Sequence, residues 1–428
     1  PIVSRATTVV AMRNERRTVL TVSSSYEGPA ADFAMIVPVP VPVRREDVRV
    51  LPRGIVDLVV GLAVPRLADT WERDPCDGGP DEEPRYTSSH APEPGYRLWR
   101  ADLIERDHGV TVVARYPVGE YDLEILGARR SRRLVAWLRE RGYQVPAGAE
   151  ELLRAHVQAG SFFMVAKVAI ERAGRAGDGT VRLSALQYTY ESDDLRVPIG
   201  FGLLNGGVTE DVVVHVLARE RHQAVGRANV ALASELGVNE ATRAEFPRFY
   251  AALLDRTLAL TPGAVVTEYA MQSELCASPC LVMGLNWAEL DMLGGDLLWR
   301  ERRPDIPREP DVLPTNSVEV PGDDPFQPSE RRAILGRASR HPPSRAMYRA
   351  HGMVLTRLHL RRGPGDVGGD LVLQPAPAIV GGEPGAPRAG ELNAFAARYL
   401  IRHPWDGPIT CLNPRRGRWD APGTRTKG

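Results

Sequence analysis

The chain has 428 residues with 54 basic and 54 acidic side chains, so its formal net charge is zero and no global field draws it to nucleic acid or an anionic membrane. Every basic residue except Lys167 and Lys427 is an arginine. The longest apolar runs are cut by charge or proline well short of the ~20 residues a membrane helix needs, so no transmembrane segment is expected. The length suffices for two or three lobes with a full core. The first residue is Pro1 and strand-like sequence follows at once, which is expected of a chain whose signal peptide has been removed or whose leading residues are missing.

Residues 7–14 and 17–24 flank Glu15-Arg16 and read as a β-hairpin. After Gly28-Pro29 comes the most constrained stretch, residues 33–43, in which Val39, Val41 and Val43 alternate with Pro38, Pro40 and Pro42. Period-two alternation marks a strand, and its three prolines remove donors along one edge only. It is therefore expected to be the last strand of a sheet, pairing on its other edge with residues 17–24. Residues from Gly54 carry Ile55, Leu58, Val59 and Leu62 at helical spacing, with Pro65 expected to separate a second short helix. Residues 74–95 form a long Pro/Gly/Asp-rich loop with Cys76 at its base. A strand pair follows at 110–116 and 120–126, then an amphipathic helix at 130–141 and a second at 147–157. This helical hairpin offers Leu134, Trp137 and Leu138 to a core. It lacks the aromatic and groove-reading side chains that DNA binding needs.

Four strand-like segments at 162–170, 181–190, 197–204 and 211–218 are separated by Gly or Asp turns and predict an antiparallel meander. Ser192-Asp193-Asp194 lies in one of these turns and lacks the further oxygen ligands of a calcium loop. A helix over 245–260 places Phe249, Leu253, Leu254 and Leu258 on one stripe, and a strand at 264–272 leads to Cys276 and Cys280. A short helix at 286–293 ends at Gly294-Gly295, and 300–327 is again Pro-rich and acidic. The last strands are expected at 353–361, 371–373 and 395–401. Between them, 363–370 has the glycines of a phosphate loop without its Lys-Ser/Thr or following helix. The fold class expected is α+β, mainly antiparallel sheets with several short helices and two long Pro-rich exposed loops. The segmentation is an N-terminal lobe (1–160), a meander-and-helix lobe (161–299), a linker (300–330) and a C-terminal β lobe (331–428).

Catalytic motifs are missing. There is no Gly-x-Ser-x-Gly elbow, no His-Glu-x-x-His and no paired-carboxylate motif, so no catalytic, cofactor-binding or metal-binding residue is assigned. His215 and His359 sit inside apolar strands, where a satisfied or exposed-face histidine is the ordinary explanation, and His403-Pro404-Trp405-Asp406 suits a rigid turn. The four cysteines, Cys76, Cys276, Cys280 and Cys411, fit two disulfides of an oxidising compartment, with three connectivities open. Free thiols and a metal site are the alternatives, although the spacing of Cys276 and Cys280 is wrong for a zinc knuckle. Closing the short Cys276–Cys280 loop would leave Cys76 and Cys411 for each other, a pairing reached by elimination.

Several segments resemble one bacterial family, known as domain of unknown function 2330. These are Tyr26-Glu27-Gly28-Pro29 with residues 32–40, Ala63-Val64-Pro65-Arg66-Leu67, Trp71-Glu72-Arg73-Asp74-Pro75-Cys76, residues 200–205 and 211–215, residues 266–270 and Arg402-His403-Pro404-Trp405. The chain departs from the family's Cys-Gly-rich start and from its commoner Cys-Asp-Pro-Cys pair. The resemblance implies an exported protein, outside the cytoplasm in the periplasm, at the outer surface or secreted, and it assigns no catalytic residue. Two functions follow as expectations. One is a non-catalytic, disulfide-stapled binding or assembly protein of the cell envelope or exterior, partnered by other protein chains and needing no cofactor. The other is a hydrolase whose Cys/His or carboxylate site assembles only in three dimensions.

Overall fold

Period-two alternation over the first segment folds it into an antiparallel hairpin, Ala6–Asn14 against Arg17–Ser24, with Glu15 turning the chain at φ 50°. The computed structural model describes residues 6–24, 34–77, 106–107, 109–143, 145, 148–175, 181–199, 210–280, 282–299, 352–362, 369–381, 385–420 and 422. The hairpin lies in the middle of an eleven-stranded mixed sheet. On one side Ala6–Asn14 pairs in parallel with Glu210–Ala218, followed by Val354–Arg362, Val265–Gln272 and Ala394–Ala396, each antiparallel to the last. On the other side Arg17–Ser24 pairs with Ala185–Glu191, which pairs with Val48–Leu51.

A second, five-stranded antiparallel sheet packs face to face on the first, in the order Ala34–Val39, Phe162–Val168, Tyr121–Ala128, Val110–Val118 and Arg106–Asp107. The main core fills the space between them. Val9, Ala11, Leu20, Val214 and Leu358 meet Val37, Leu123, Ile125 and Met164, all fully or nearly fully buried. Helices cover both outer faces. Ser131–Glu140 and Ala149–Gln158 lay Leu134, Trp137, Leu138 and Leu153 on the far side of the five-stranded sheet. Arg53–Ala63 and the short helix Trp287–Leu290 cover part of the large sheet, and Phe246–Leu260 covers another part. Asn286 caps the short helix through a reciprocal pair of hydrogen bonds with Glu289. The turn that follows brings Gly294, at φ +131°, against Val19, where a Cβ would come within 2.7 Å of the valine.

The α+β class with mostly antiparallel sheets matches the expectation, and so do the hairpin and the main helices. Strand neighbours differ. The proline strand is the end strand of its sheet, but its partner is Phe162–Val168 and not 17–24. The reason is occupancy: the free side of Arg17–Ser24 is already taken by Ala185–Glu191. The strand also ends at Val39, with Pro38 buried and Val41 turned outward at 38% exposure. After Pro65 the chain forms a strand, Arg66–Trp71, instead of a helix, with alternate residues buried against the parallel strand Arg398–His403. The expected meander is divided. Phe162–Val168 joins the five-stranded sheet, Ala185–Glu191 and Glu210–Ala218 join the large one, and Leu195–Val197 joins a three-stranded sheet with Leu371–Ala376 and Arg221–Ala224. Glu210–Ala218 is buried on both faces, so it takes neighbours on both sides instead of following its predecessor in a hairpin. The last expected strand is broken at Ala397 into Ala394–Ala396 and Arg398–His403. Val354–Arg362, drawn with the C-terminal segment, completes the large sheet between Glu210–Ala218 and Val265–Gln272. Most of the two Pro-rich loops, residues 78–95 and 300–327, lies outside the described residues, as do 200–204 and 363–368.

The C-terminal segment is tied to Arg66–Trp71 by more than pairing. Glu72, 7% exposed, accepts from the backbone N–H groups of Trp405 (2.9 Å) and Gly417 (2.7 Å) and from Arg416 (2.9 Å). Four residues later Cys76 is joined to Cys411, with Cα atoms 5.5 Å apart; Cys276 and Cys280 are joined with Cα atoms 5.6 Å apart. Because the first bond spans 335 positions, the double variant C76S/C411S is expected to lose about 2–5 kcal/mol of unfolding free energy. Denaturant titration checks this, and an unchanged midpoint would refute it.

Candidate binding pocket at the proline edge

Five separate parts of the chain converge where the two sheets meet beside the proline strand. Pro38, Val39 and Pro40 form one wall. Helix Ala149–Gln158 and the turn after it contribute His156 and Ser161, and Ala185–Glu191 contributes Tyr188 and Tyr190. Arg196 and Pro198 come from the segment around Leu195–Val197, and Asp370 stands just ahead of Leu371–Ala376. They enclose a cavity of about 30 Å³, room for roughly two water molecules.

The polar atoms facing this cavity are unusual. Tyr188 is 1% exposed and its hydroxyl has no hydrogen-bond partner among the described residues. Asp370 Oδ1 is likewise buried without a hydrogen bond among the described residues; His156 Nε2 lies 3.5 Å from it, an ion pair only when the imidazole is protonated. Burial pushes the Asp370 carboxyl up to about 7, with Arg196 and Arg362 offsetting only part of that cost. Burial, and next the Arg196 charge, push the His156 imidazole down. At neutral pH the site therefore holds an uncharged imidazole and a carboxyl close to half protonation. Tyr190 donates to the Arg196 carbonyl at 3.0 Å and stacks on Tyr188 at 6.0 Å between ring centroids. The turn Ser192-Asp193-Asp194 is structural: Asp194 holds Arg196 at 2.7 Å, and Arg13 donates to the carbonyls of Ser192 and Asp193.

The two strand histidines belong to a different cluster, on the face of the large sheet covered by Phe246–Leu260. Arg357, His359 and Arg361 alternate along Val354–Arg362. A register shift between Thr267 and Tyr269 makes Glu268 the extra residue of a β-bulge, and its carboxylate is fully buried among these cations. Arg357 Nε donates to Glu268 Oε2 at 2.6 Å, His359 Nδ1 lies 2.9 Å from Oε1, and the Tyr250 hydroxyl also donates to Oε1. His359 Nε2 faces Asp211 Oδ1 at 3.3 Å, and Arg361 in turn holds Asp211 at 2.7 Å. His215, fully buried, meets Arg357 through Nε2 at 3.3 Å. Burial alone would lower His359, but the Glu268 and Asp211 carboxylates outweigh it and raise the imidazole to about 9. Burial would raise Glu268, and the charges of Arg357 and His359 hold it at about 2 instead. This is a largely buried ion network and not an open site, although His215 Nδ1 and His359 Nε2 make no hydrogen bond among the described residues.

A third grouping sets donor atoms of Asp69, Glu240 and His403 within 4.8 Å of one another, close enough to share a metal ion. Arg243 already supplies the positive charge there, 2.6 Å from Asp69 and 2.7 Å from Glu240, and His403 binds Asp69 at 2.8 Å while stacking on Trp71.

The model of domain of unknown function 2330, described as an uncharacterized protein conserved in bacteria, matches residues 2–290. The chain belongs to this family. No curated protein matches this family member in sequence. Among solved structures, a mutated baculovirus P35 after caspase cleavage is 11% identical, with a TM-score of 0.25, covering 51% of this chain and 66% of that one. The caspase-8/P35 complex gives 11% identity and a TM-score of 0.26, with 52% and 66% covered. The family-like segments around 63–76 and 402–405 meet in space through the Glu72–Trp405 bond and the Trp71–His403 stack, which gives them a structural role in this member. The residues that make the pocket's chemistry, His156, Tyr188 and Asp370, lie outside the family-like segments.

The Glu268 network sets a pH dependence for stability. His359 is raised, so its contribution is complete below the unfolded imidazole value of about 6.5 and fades as pH climbs through about 9. Glu268 is lowered, so its contribution is complete above about 4.5 and is lost as pH falls toward about 2. Relative to the parent, H359Q is expected to be most destabilised between about pH 4.5 and 6.5 and to converge with it at alkaline pH. A gap independent of pH, in urea titrations across this range, would show that His359 is uncharged in the fold.

Proposed function

We propose that this protein works outside the cytoplasm as a disulfide-stapled binding or assembly protein, and that its recognition surface is the proline edge with the adjoining pocket. The observation that carries this reading is the position of Ala34–Val39. Among the described residues it pairs only with Phe162–Val168, and a proline cannot donate to a further neighbour. Just past this strand the exposed Pro40 and Val41 form a rim beside the aromatic pocket, and this rim is what a partner meets. The Cys76–Cys411 and Cys276–Cys280 bonds support the oxidising compartment.

Protein purified from its native source should have a mass above the 47.0 kDa of one chain, and the triple variant P38T/P40T/P42T should alter that mass or aggregate in light scattering. A single-chain mass in both would sink the reading. A hydrolase is the second reading, favoured by one observation: Ser161, His156 and Asp370 line the same pocket. His156 turns Nε2 toward Asp370, so its other ring nitrogen would have to serve Ser161. A fluorophosphonate probe that labels the parent and not S161A would establish it, and an unlabelled parent would exclude a serine nucleophile of this kind.

A further inference from the structure

One part of the lining offers acceptors without backbone donors. Pro38, Pro40 and Pro198 have no N–H to offer. The Asp370 Oδ1 and Tyr188 hydroxyl oxygens are both buried without a hydrogen bond among the described residues, so each can accept a further donor. Arg196, the cation of the lining, already gives one amino group to Asp194. Stacked tyrosine rings form another part of the wall, and a π face attracts positive charge. The cavity is too small for a drug-sized molecule but accepts a group of one or two heavy atoms.

We propose that the pocket binds a primary ammonium group, held by Asp370 and Tyr188. An ammonium has three donors and no acceptor, so one group satisfies both orphaned oxygens and places its third hydrogen toward a ring or a carbonyl. A hydroxyl brings a single donor and a carboxylate brings none. Arg362 and Arg196 face Asp370 from their own strands, His156 faces it from the helix, and Tyr188 and Tyr190 face it from the large sheet. Burial lowers the imidazole, so the cationic neighbours are the two arginines: Arg196 holds Asp194, and Arg362 donates to the Ile199 carbonyl at 2.6 Å. The ammonium occupies the remaining place in the carboxylate's surroundings. Binding requires ionised Asp370, so affinity rises with pH through about 7 and a proton is released on binding below that value. The inference rests on the pocket being part of the recognition surface, and it specifies what a partner or ligand must bring to it: a lysine side chain or a small free amine.

The test is titration of the intact protein with methylammonium chloride and, separately, with N-acetyl-lysine methylamide, followed by calorimetry and by the carboxyl carbon resonance of Asp370. Sodium acetate and tetramethylammonium chloride are the controls. Saturable binding of an amine, with the Asp370 resonance moving toward its ionised position, is expected. D370N and Y188F should weaken it about 10–100-fold, the loss of one charge-assisted bond or one hydrogen bond. Tighter binding of the lysine derivative assigns the site to a polypeptide partner; tighter binding of methylammonium assigns it to a free amine. No saturation by either amine, equal binding by acetate or tetramethylammonium, or full binding in a folded D370N protein would overturn the proposal. The native mass of D370N separates the two readings. An assembly that persists while amine binding is absent in both proteins removes the ammonium assignment alone, and amine binding in a strictly monomeric parent removes assembly alone.

Discussion

The large sheet depends on one buried carboxylate. Val354–Arg362 runs through the sheet with neighbours on both sides, and its alternate residues Arg357 and His359 point to a face that is closed to solvent. Two desolvated cations on adjacent positions of one face would be untenable without a counter-charge between them. Glu268 supplies it, and does so only because the bulge in Val265–Gln272 inserts one residue and aims that side chain into the gap. Asp211 and Arg361 carry the compensation outward to the half-buried rim. The opposite face of the same strand, with Leu358 and Leu360, is ordinary sandwich core. A strand with apolar residues on one face and charge on the other normally has a wet side; here the second side is covered by a helix and neutralised from within.

The pocket has a different origin. It forms at the end of the five-stranded sheet, where the proline strand meets Tyr188 and Tyr190 of the large sheet. The space at that margin is filled by a helix end, a short strand and the residue ahead of another, each arriving from a different layer. Such a seam gathers side chains that no local rule brings together, and it leaves Tyr188 and Asp370 facing one another's neighbourhood without a bond.

What could be read from the sequence follows the range of the underlying force. The hairpin at 7–24 is visible because its alternation and turn are local, and the helices at 131–140 and 246–260 because their apolar stripes repeat every three or four residues. That the proline segment ends a sheet was legible from its missing donors. Which strand it pairs with was not, since the answer depended on Ala185–Glu191 having taken the hairpin's free side, far along the chain. Nor could the strand after Pro65 be recognised: Arg66 looks like a surface residue, yet it is 2% exposed and donates to the carbonyls of Leu62, Ala277 and Pro279. The pocket left no local trace at all. His156 is one polar residue near a helix end, Tyr188 one aromatic in a strand, and Asp370 the last residue of a glycine-rich stretch that lacks the Lys-Ser/Thr of a phosphate loop. His359 is visible as a histidine inside an apolar strand, whereas neither its burial nor its charge is, because Glu268 and Asp211 come from two other strands.

The separation of the cysteines carries a consequence for how the chain is made. During synthesis from the N-terminus, Cys76 emerges long before Cys411, and for nearly the whole interval it is a thiol in search of a mate. The two other candidates appear in the meantime, only four positions apart. Loop closure between near neighbours is fast compared with closure across hundreds of residues. Cys276 and Cys280 can therefore consume each other before either reaches Cys76, and the correct mate is then the single reduced sulfur that arrives last. Once the small bridge has formed, Cys76 and Cys411 are left as each other's mates.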